Sequence, residues 1–243
     1  MRVERDRSHR SLTGKWKGVT AVFLDAGGTL FAPRPSVGHV YARVARRHGC
    51  RVSSGWVEER FRTVWARRNR GSLLKNTTEE GEKRWWFRIV RDVFGTRFPP
   101  RRFSLYFDDL YDRFAHPDTW ELFPDTKPVL RRLRRRGFRV GIVSNWDSRL
   151  FPLCDRLGVT PLVDFVLASA VVGYVKPDRR IFHEALRRAG APADRAVHVG
   201  DSLMEDYWGA RRAGLKAVLL TPSGRTSSGI VSISRLRELD GII

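Results

Sequence analysis

Apolar residues along the chain follow two different periods. Residues 19–24 form a short apolar run rich in β-branched and aromatic side chains and bounded by glycines, which predicts a buried strand. Similar runs recur at Phe138 to Ser144 (FRVGIVS), Ala196 to Gly200 (AVHVG) and Ala217 to Thr221 (AVLLT), with a weaker one at Phe165 to Ala168. Helical spacing separates them at residues 126–136, 149–157, 178–188 and 204–213. Strands alternating with helices predict parallel βαβ units, hence an α/β fold with a doubly wound parallel sheet and helices on both faces.

Between the first and second strands the period changes. Residues 37–48, 55–69, 79–94 and 104–114 all repeat apolar positions at helical spacing, with breaks at Gly71, Pro99-Pro100 and Pro117. Trp56, Phe61, Trp65, Trp85, Trp86 and Phe87 make this region aromatic, and such stripes are read first as core. Residues 33–122 are therefore expected to be a helical insertion, residues 19–32 with 123–243 the sheet core, and residues 1–18 a disordered basic extension. SGRTSSG at Ser223 to Gly229 reads as a flexible loop before a short amphipathic tail containing Leu236 and Leu239.

Composition narrows the compartment and the partners. With 243 residues, 42% of them hydrophobic, the chain can bury a substantial core. No apolar run approaches the roughly 18 residues of a membrane span. The first residues lack a signal peptide's apolar centre, and Glu4 and Asp6 argue against a transit peptide. Cys50 and Cys154 have neither metal-ligand nor CxxC spacing and read as buried small hydrophobes, so a cytoplasmic location is expected. A net charge of +20 attracts polyanions and phosphorylated ligands. The charge is distributed, without a nucleic-acid-binding motif, so nucleic acid is possible but not the favoured partner.

In an open parallel sheet, ligands bind beyond the carboxyl ends of the strands. There the chain carries Asp25, then Ser144-Asn145, then Lys176 ahead of a helix, and Gly200-Asp201 with Asp206 about one helical turn later. Topology alone brings these polar groups to one edge.

These residues and their order resemble the haloacid dehalogenase-like (HAD) hydrolase superfamily. Its Asp-x-Asp-Gly-Thr motif is matched by Asp25-Ala26-Gly27-Gly28-Thr29, its strand-end Ser or Thr by Ser144, its Lys by Lys176, and its Gly-Asp with a later Asp by Gly200-Asp201 and Asp206. SNWDSRL and HVGDSLMEDYWGARRAG point to one subgroup within it. The resemblance implies a Rossmann-like core with a type 1 helical cap and an aspartyl-phosphate on Asp25, with Ser144 and Lys176 as further catalytic groups. It implies Mg²⁺ held by Asp25, the Gly27 carbonyl and Asp201, with Asp206 reaching the metal shell or orienting its waters. It also implies a phosphorylated small molecule bound by Ser144, Asn145, Lys176, Gly28 and Thr29.

One departure stands out. HAD phosphatases carry a second Asp, the general acid and base, at the position of Gly27, and glycine transfers no proton. Three readings follow: a slow Mg²⁺-dependent phosphatase with a substitute donor such as Asp147 or His39, a dehalogenase- or phosphonatase-like hydrolase, or a domain that binds a phosphorylated ligand or a protein without turnover. His183 and His198 read as core or surface histidines and Met204 as core packing.

Overall fold

The computed structural model of the protein describes residues 16–69, 77–222 and 227–243. Most of the expected N-terminal extension, the Gly71 break and the first half of the SGRTSSG loop lie outside the described residues. In chain order the strands are β1 (Ala21–Leu24), β2 (Phe31–Pro33), β3 (Trp120–Leu122), β4 (Arg139–Ser144), β5 (Phe165–Ala168), β6 (Ala196–Gly200), β7 (Lys216–Leu220) and β8 (Ser232–Ile233). The helices are α1 (Val37–Arg47), α2 (Ser54–Asn69), α3 (Glu79–Phe94), α4 (Pro100–Arg113), α5 (Thr126–Arg135), α6 (Leu150–Arg156), α7 (Ser169–Val172), α8 (Arg179–Ala189) and α9 (Gly209–Arg212).

Six strands form one parallel sheet in the order β5-β4-β1-β6-β7-β8. Side chains alternate across a strand, so central β1 feeds two cores at once. Val22 and Leu24 join Leu130, Leu133, Leu150 and Leu153 from α5 and α6 on one face. Ala21 and Phe23 join Ile181, Phe182 and Ala185 from α8, with Tyr207 and Ala210, on the other. This is an α/β Rossmann-like architecture.

Helices α1 to α4 build a separate aromatic core around Tyr41, Phe94, Phe103, Tyr106 and Phe107. Ser36 caps α1 by accepting from the His39 N–H, and Thr78 caps α3 by accepting from the Gly81 N–H. Helix α4 starts at Pro100, four residues before the Ser104 expected from periodicity. Proline is tolerated in a helix's first turn, where its missing N–H has no partner to lose, so what reads as a break is a beginning. Both connections to the sheet pass through the antiparallel pair β2-β3, which pairs Phe31 with Leu122 and Pro33 with Trp120.

The helix expected over 204–213 is instead a π-helix, Leu203–Trp208, running into α9. The N–H groups of both Asp206 and Tyr207 reach the Ser202 carbonyl, and this wide turn returns the Asp206 carboxylate to the Ser202 N–H at 2.9 Å. Met204 is 56% exposed on its outer side, which corrects its assignment to the core. Leu236 and Leu239 of the tail are buried in a 3-10 turn, and the Trp16 N–H donates to the Ile242 carbonyl, joining the segment ahead of β1 to the tail. Among the described residues no helix is long and apolar enough to cross a membrane.

Candidate active site

Parallel register brings the site together. Leu24 aligns with Ile142 on one side and Val199 on the other, so Asp25, Ser144 and Asp201 leave three adjacent strands at the same edge. Lys176 arrives from the turn before α8. Its Nζ donates to Asp25 Oδ1 and to Asp206 Oδ1, both at 2.6 Å, and the Ser144 hydroxyl donates to Asp25 Oδ1 at 2.9 Å. Asp206 is held from behind by His198 Nε2 at 2.8 Å. His198 is fully buried on β6, and burial pushes its pKa down, so the neutral imidazole is the form that holds Asp206.

Charge is unbalanced here. Burial works against the ammonium of Lys176, but Asp206 and Asp25 outweigh it and hold its pKa above the ordinary value. Burial, followed by the charges of Asp25 and Asp206, pushes Asp201 up to about 8, and burial with the same two carboxylates pushes Glu205 up to about 7. Asp25 is raised too, again chiefly by burial, whereas Asp206 is held low by Lys176 and His198 despite its burial. Four carboxylates thus share one ammonium: Asp25 and Asp206 are buried, Glu205 is half-buried, and Asp201 lies on the open side of the cleft with its residue surface exposed to water. Oxygens of Asp25, Asp201 and Asp206 come within 4.8 Å of one another. An all-oxygen, electron-rich donor set with this charge deficit fits a hard divalent cation.

Not every motif residue faces the cleft. Gly28 does, at φ +82, and a Cβ there would overlap the Asp201 carboxylate, so only glycine fits. Thr29 does not. Its side chain is fully buried, it is absent from the cavity wall, and its N–H donates to the Ala26 carbonyl. Thr29 therefore presents neither group to the cleft, which removes it from the expected phosphate-binding set: the turn takes its amide, and its hydroxyl is buried without a partner among the described residues. Asn145 lines the cleft, but its amide bridges the Lys176 backbone, accepting from its N–H at 2.7 Å and donating to its carbonyl at 3.0 Å, and it also donates to Glu205. Its side chain positions Lys176 rather than presenting free donors to a ligand.

Neither expected substitute proton donor is at hand. Asp147 is fully buried and its carboxylate is taken by Arg149 Nε at 2.9 Å, Arg149 Nη2 at 2.7 Å and the Tyr111 hydroxyl at 2.6 Å. Burial opposes its ionisation, yet the Arg149 bonds hold its pKa low, so it is a fixed anion. His39 bonds Ser36 and Ser54 on the surface and does not line the cavity.

Above the carboxylates opens a cavity of about 480 Å³ that runs from Asp25 and Gly27 up between α1, α2, α3 and α4. Trp146 forms its side wall, wedged against Phe31 and Trp120 at ring-centroid distances of 5.8 and 5.1 Å. Glu205, Trp146 and Arg149 were not singled out from sequence as site residues, whereas Phe61, Trp65 and Trp86 were read first as core, with pocket lining as the alternative. Glu205 lay in view within GDSLMED, whereas the others meet only through contacts between distant segments.

A carboxylate clamped between a lysine and a serine at the edge of a parallel sheet, under a helical insertion, is the arrangement of a hydrolase site. Comparison with known proteins gives the family. The haloacid dehalogenase-like hydrolase family model matches residues 19–214. The chain is 35% identical over 212 residues to "Haloacid dehalogenase-like hydrolase domain-containing protein 3" of Mus musculus, covering 85% of this chain and 83% of that protein. It is 40% identical over 104 residues to the "Glyceraldehyde 3-phosphate phosphatase" of Methanothermobacter thermautotrophicus, covering 40% of this chain and 44% of that one. Among solved structures, the HAD phosphatase from Thermococcus onnurineus superposes with a TM-score of 0.64 at 26% identity, over 92% of this chain and 97% of its own. The chain belongs to the haloacid dehalogenase-like hydrolase family.

Proposed function

We propose that this hydrolase is a phosphatase that works through an aspartyl-phosphate on Asp25. The observation that carries the reading is the Lys176 ammonium bridging Asp25 and Asp206 at 2.6 Å each, beside a second acidic oxygen set on Asp201. Asp25 attacks phosphorus with the oxygen that Lys176 and Ser144 do not hold. Lys176 and Ser144 stay beside the phosphoryl oxygens, where negative charge gathers in the transition state. Asp206, backed by His198, keeps Lys176 pointing at the nucleophile.

Asp25, the Gly27 carbonyl and Asp201 would hold Mg²⁺, which when bound neutralises the phosphate and the attacking carboxylate. Both Asp206 oxygens are already accepting bonds, so Asp206 serves the lysine and stands behind the metal ligands. Residues 33–122 act as the cap that closes over the reacting centre, tied to the core where Glu79 accepts from the Ser148 N–H and hydroxyl. The buried free thiols Cys50 and Cys154 fit the reducing cytoplasm that we assign to the protein.

With no carboxyl group at position 27, turnover is slower than in a relative that has one, by the roughly 10² to 10⁴ that general acid-base catalysis provides. The test is phosphate release from p-nitrophenyl phosphate and a panel of phosphorylated metabolites, with and without Mg²⁺. Release that needs Mg²⁺ and disappears in Asp25→Asn supports the reading. Equal background in both proteins across the panel rejects it, and leaves a domain that binds its ligand without turnover.

A further inference from the structure

We infer that the phosphate ester accepted by this site is aromatic: an aryl phosphate whose ring or fused rings fill the cavity between the sheet and the helical insertion. This rests on the phosphatase reading and specifies the substrate class of that site.

The first argument is the wall. Phe61 stacks on Trp65 and Trp65 on Trp86, each pair at 5.7 Å between centroids and 19° between planes, giving a continuous aromatic surface with Tyr41, Phe107 and Phe114 around it. Three side-chain polar atoms on that wall are committed to the protein, leaving the Tyr41 hydroxyl, Trp65 Nε1 and Trp146 Nε1 as its remaining neutral donors among the described residues. The Tyr111 hydroxyl goes to Asp147, Trp86 Nε1 to Glu82 and Trp120 Nε1 to the Phe114 carbonyl. Arg149, the one cation of the upper wall among the described residues, is bound along its edge by Asp147 and lies 3.3 Å over the Tyr111 ring. No carboxylate or side-chain amide lines this upper part among the described residues. A sugar, a nucleotide or a second phosphate carries more hydroxyls or charges than these few neutral donors can meet, at a cost of about 1–3 kcal/mol for each group left unsatisfied. A ring stacks instead. The cavity volume, about 480 Å³, suits a small organic ligand of one or two fused rings.

The second argument is independent and concerns the leaving group. Position 27 carries no acid, and the space beside it holds the Trp146 ring, with Cζ3 3.2 Å from where a Cβ would stand. A departing oxygen near this wall receives no proton from it. A phenol ionises near pKa 10, as tyrosine does, about six units below water, so an aryloxide can leave unprotonated where an alkoxide cannot. The steps balance without a donor. An Asp25 oxygen bonds to phosphorus while the bond from phosphorus to the aryl oxygen breaks, its electron pair leaving as aryloxide that takes a proton from solvent. Water then bonds to phosphorus, the bond to Asp25 breaks with its electron pair returning to the carboxylate, and of the two water protons one stays on the phosphate and the other passes to the phosphate or to solvent.

The experiment compares, on the whole protein with Mg²⁺, 2-naphthyl phosphate, acetyl phosphate, hexyl phosphate and glyceraldehyde 3-phosphate. The inference predicts kcat/KM at least 100-fold higher for 2-naphthyl phosphate than for hexyl phosphate or glyceraldehyde 3-phosphate. It also predicts that Trp65→Ala raises KM for 2-naphthyl phosphate several-fold more than for acetyl phosphate, which leaves as easily and carries no ring. Sugar or alkyl esters cleaved as fast as the aryl ester overturn the inference and leave the phosphatase reading standing. If nothing is cleaved, the phosphatase reading fails by itself, and thermal shifts with phenylphosphonate and methylphosphonate still decide the cavity. A larger shift with phenylphosphonate upholds an aromatic site, and equal shifts overturn it.

Discussion

The indole of Trp146 stands against Gly27, at the position where phosphatases of this family carry their acid. A Cβ on residue 27 would lie 3.2 Å from Trp146 Cζ3, and Gly27 has no positive φ that would require glycine. The ring, held by Phe31 and Trp120, is what restricts the position. The missing carboxyl group and the presence of the tryptophan are therefore one structural fact. Restoring the acid requires moving the ring.

Gly27→Asp alone is accordingly expected to raise the hydrolysis of an alkyl phosphate by less than tenfold. Combined with Trp146→Ala it is expected to raise it by about 10², the lower end of general acid-base contributions. Steady-state kinetics on hexyl phosphate across the four-protein cycle measure the coupling. A single mutant as active as the double shows that Trp146 does not obstruct the acid.

Lys176 is 3% exposed and is the ammonium that Asp25 and Asp206 share. Lys176→Met leaves two buried carboxylates facing each other, so it should cost about 3–5 kcal/mol in urea unfolding without divalent cation, and abolish turnover. Lys176→Met with Asp206→Asn should recover part of the lost stability and none of the activity. Stability unchanged in the single variant would show that the ion pair is not formed in solution.

Asp147 ties the sheet to α4 through Arg149 and Tyr111. Its pKa is depressed in the folded protein, so its stabilisation is complete above the unfolded carboxylate value of about 4 and is lost as pH falls through the folded value. Asp147→Asn should destabilise the protein at neutral pH by about 3 kcal/mol, because the Arg149 guanidinium stays behind without its anion. The gap between variant and wild type should narrow on acidification. Thermal melts from pH 7 to pH 3 read the difference, and a gap independent of pH contradicts the ion pair.

Glu82 shows the opposite sign. Burial, with Asp147 adding to it, pushes its pKa up to about 7, while Trp86 Nε1 donates to its carboxyl at 3.1 Å. The folded chain holds this proton more tightly than the unfolded chain, so its contribution is full below about 4.5 and is lost as pH rises through about 7. Glu82→Gln is expected to match wild type near pH 5 and to be the more stable protein at pH 8. Parallel melting curves at the two pH values would contradict the assignment.

The placement of Asp25, Ser144 and Asp201 was legible because each sits at or directly after a strand end, where local pattern and parallel topology together fix position; Lys176 lies ahead of α8, and the motif order of the resemblance tied it to them. Thr29 and Asn145 were assigned to the ligand from motif membership; a turn takes the Thr29 N–H and buries its side chain, while the Lys176 backbone and Glu205 take the Asn145 amide. Trp146, Arg149 and Tyr111 meet across the junction of sheet and insertion, through contacts that no local period encodes. The same holds for β2 and β3, three residues each, which exist because the two connections run side by side. Met204 read as apolar and hence interior, but the π-turn that aims Asp206 inward turns Met204 outward.

The central claim is that Asp25 carries the phosphoryl group. Acid quench of the protein during turnover of p-nitrophenyl phosphate with Mg²⁺, followed by peptide mass spectrometry, tests it directly. The account predicts one added phosphoryl group on the peptide containing Asp25, and none in Asp25→Asn. Phosphate released at the wild-type rate by Asp25→Asn, or a phosphoryl group found on any other residue, would contradict it.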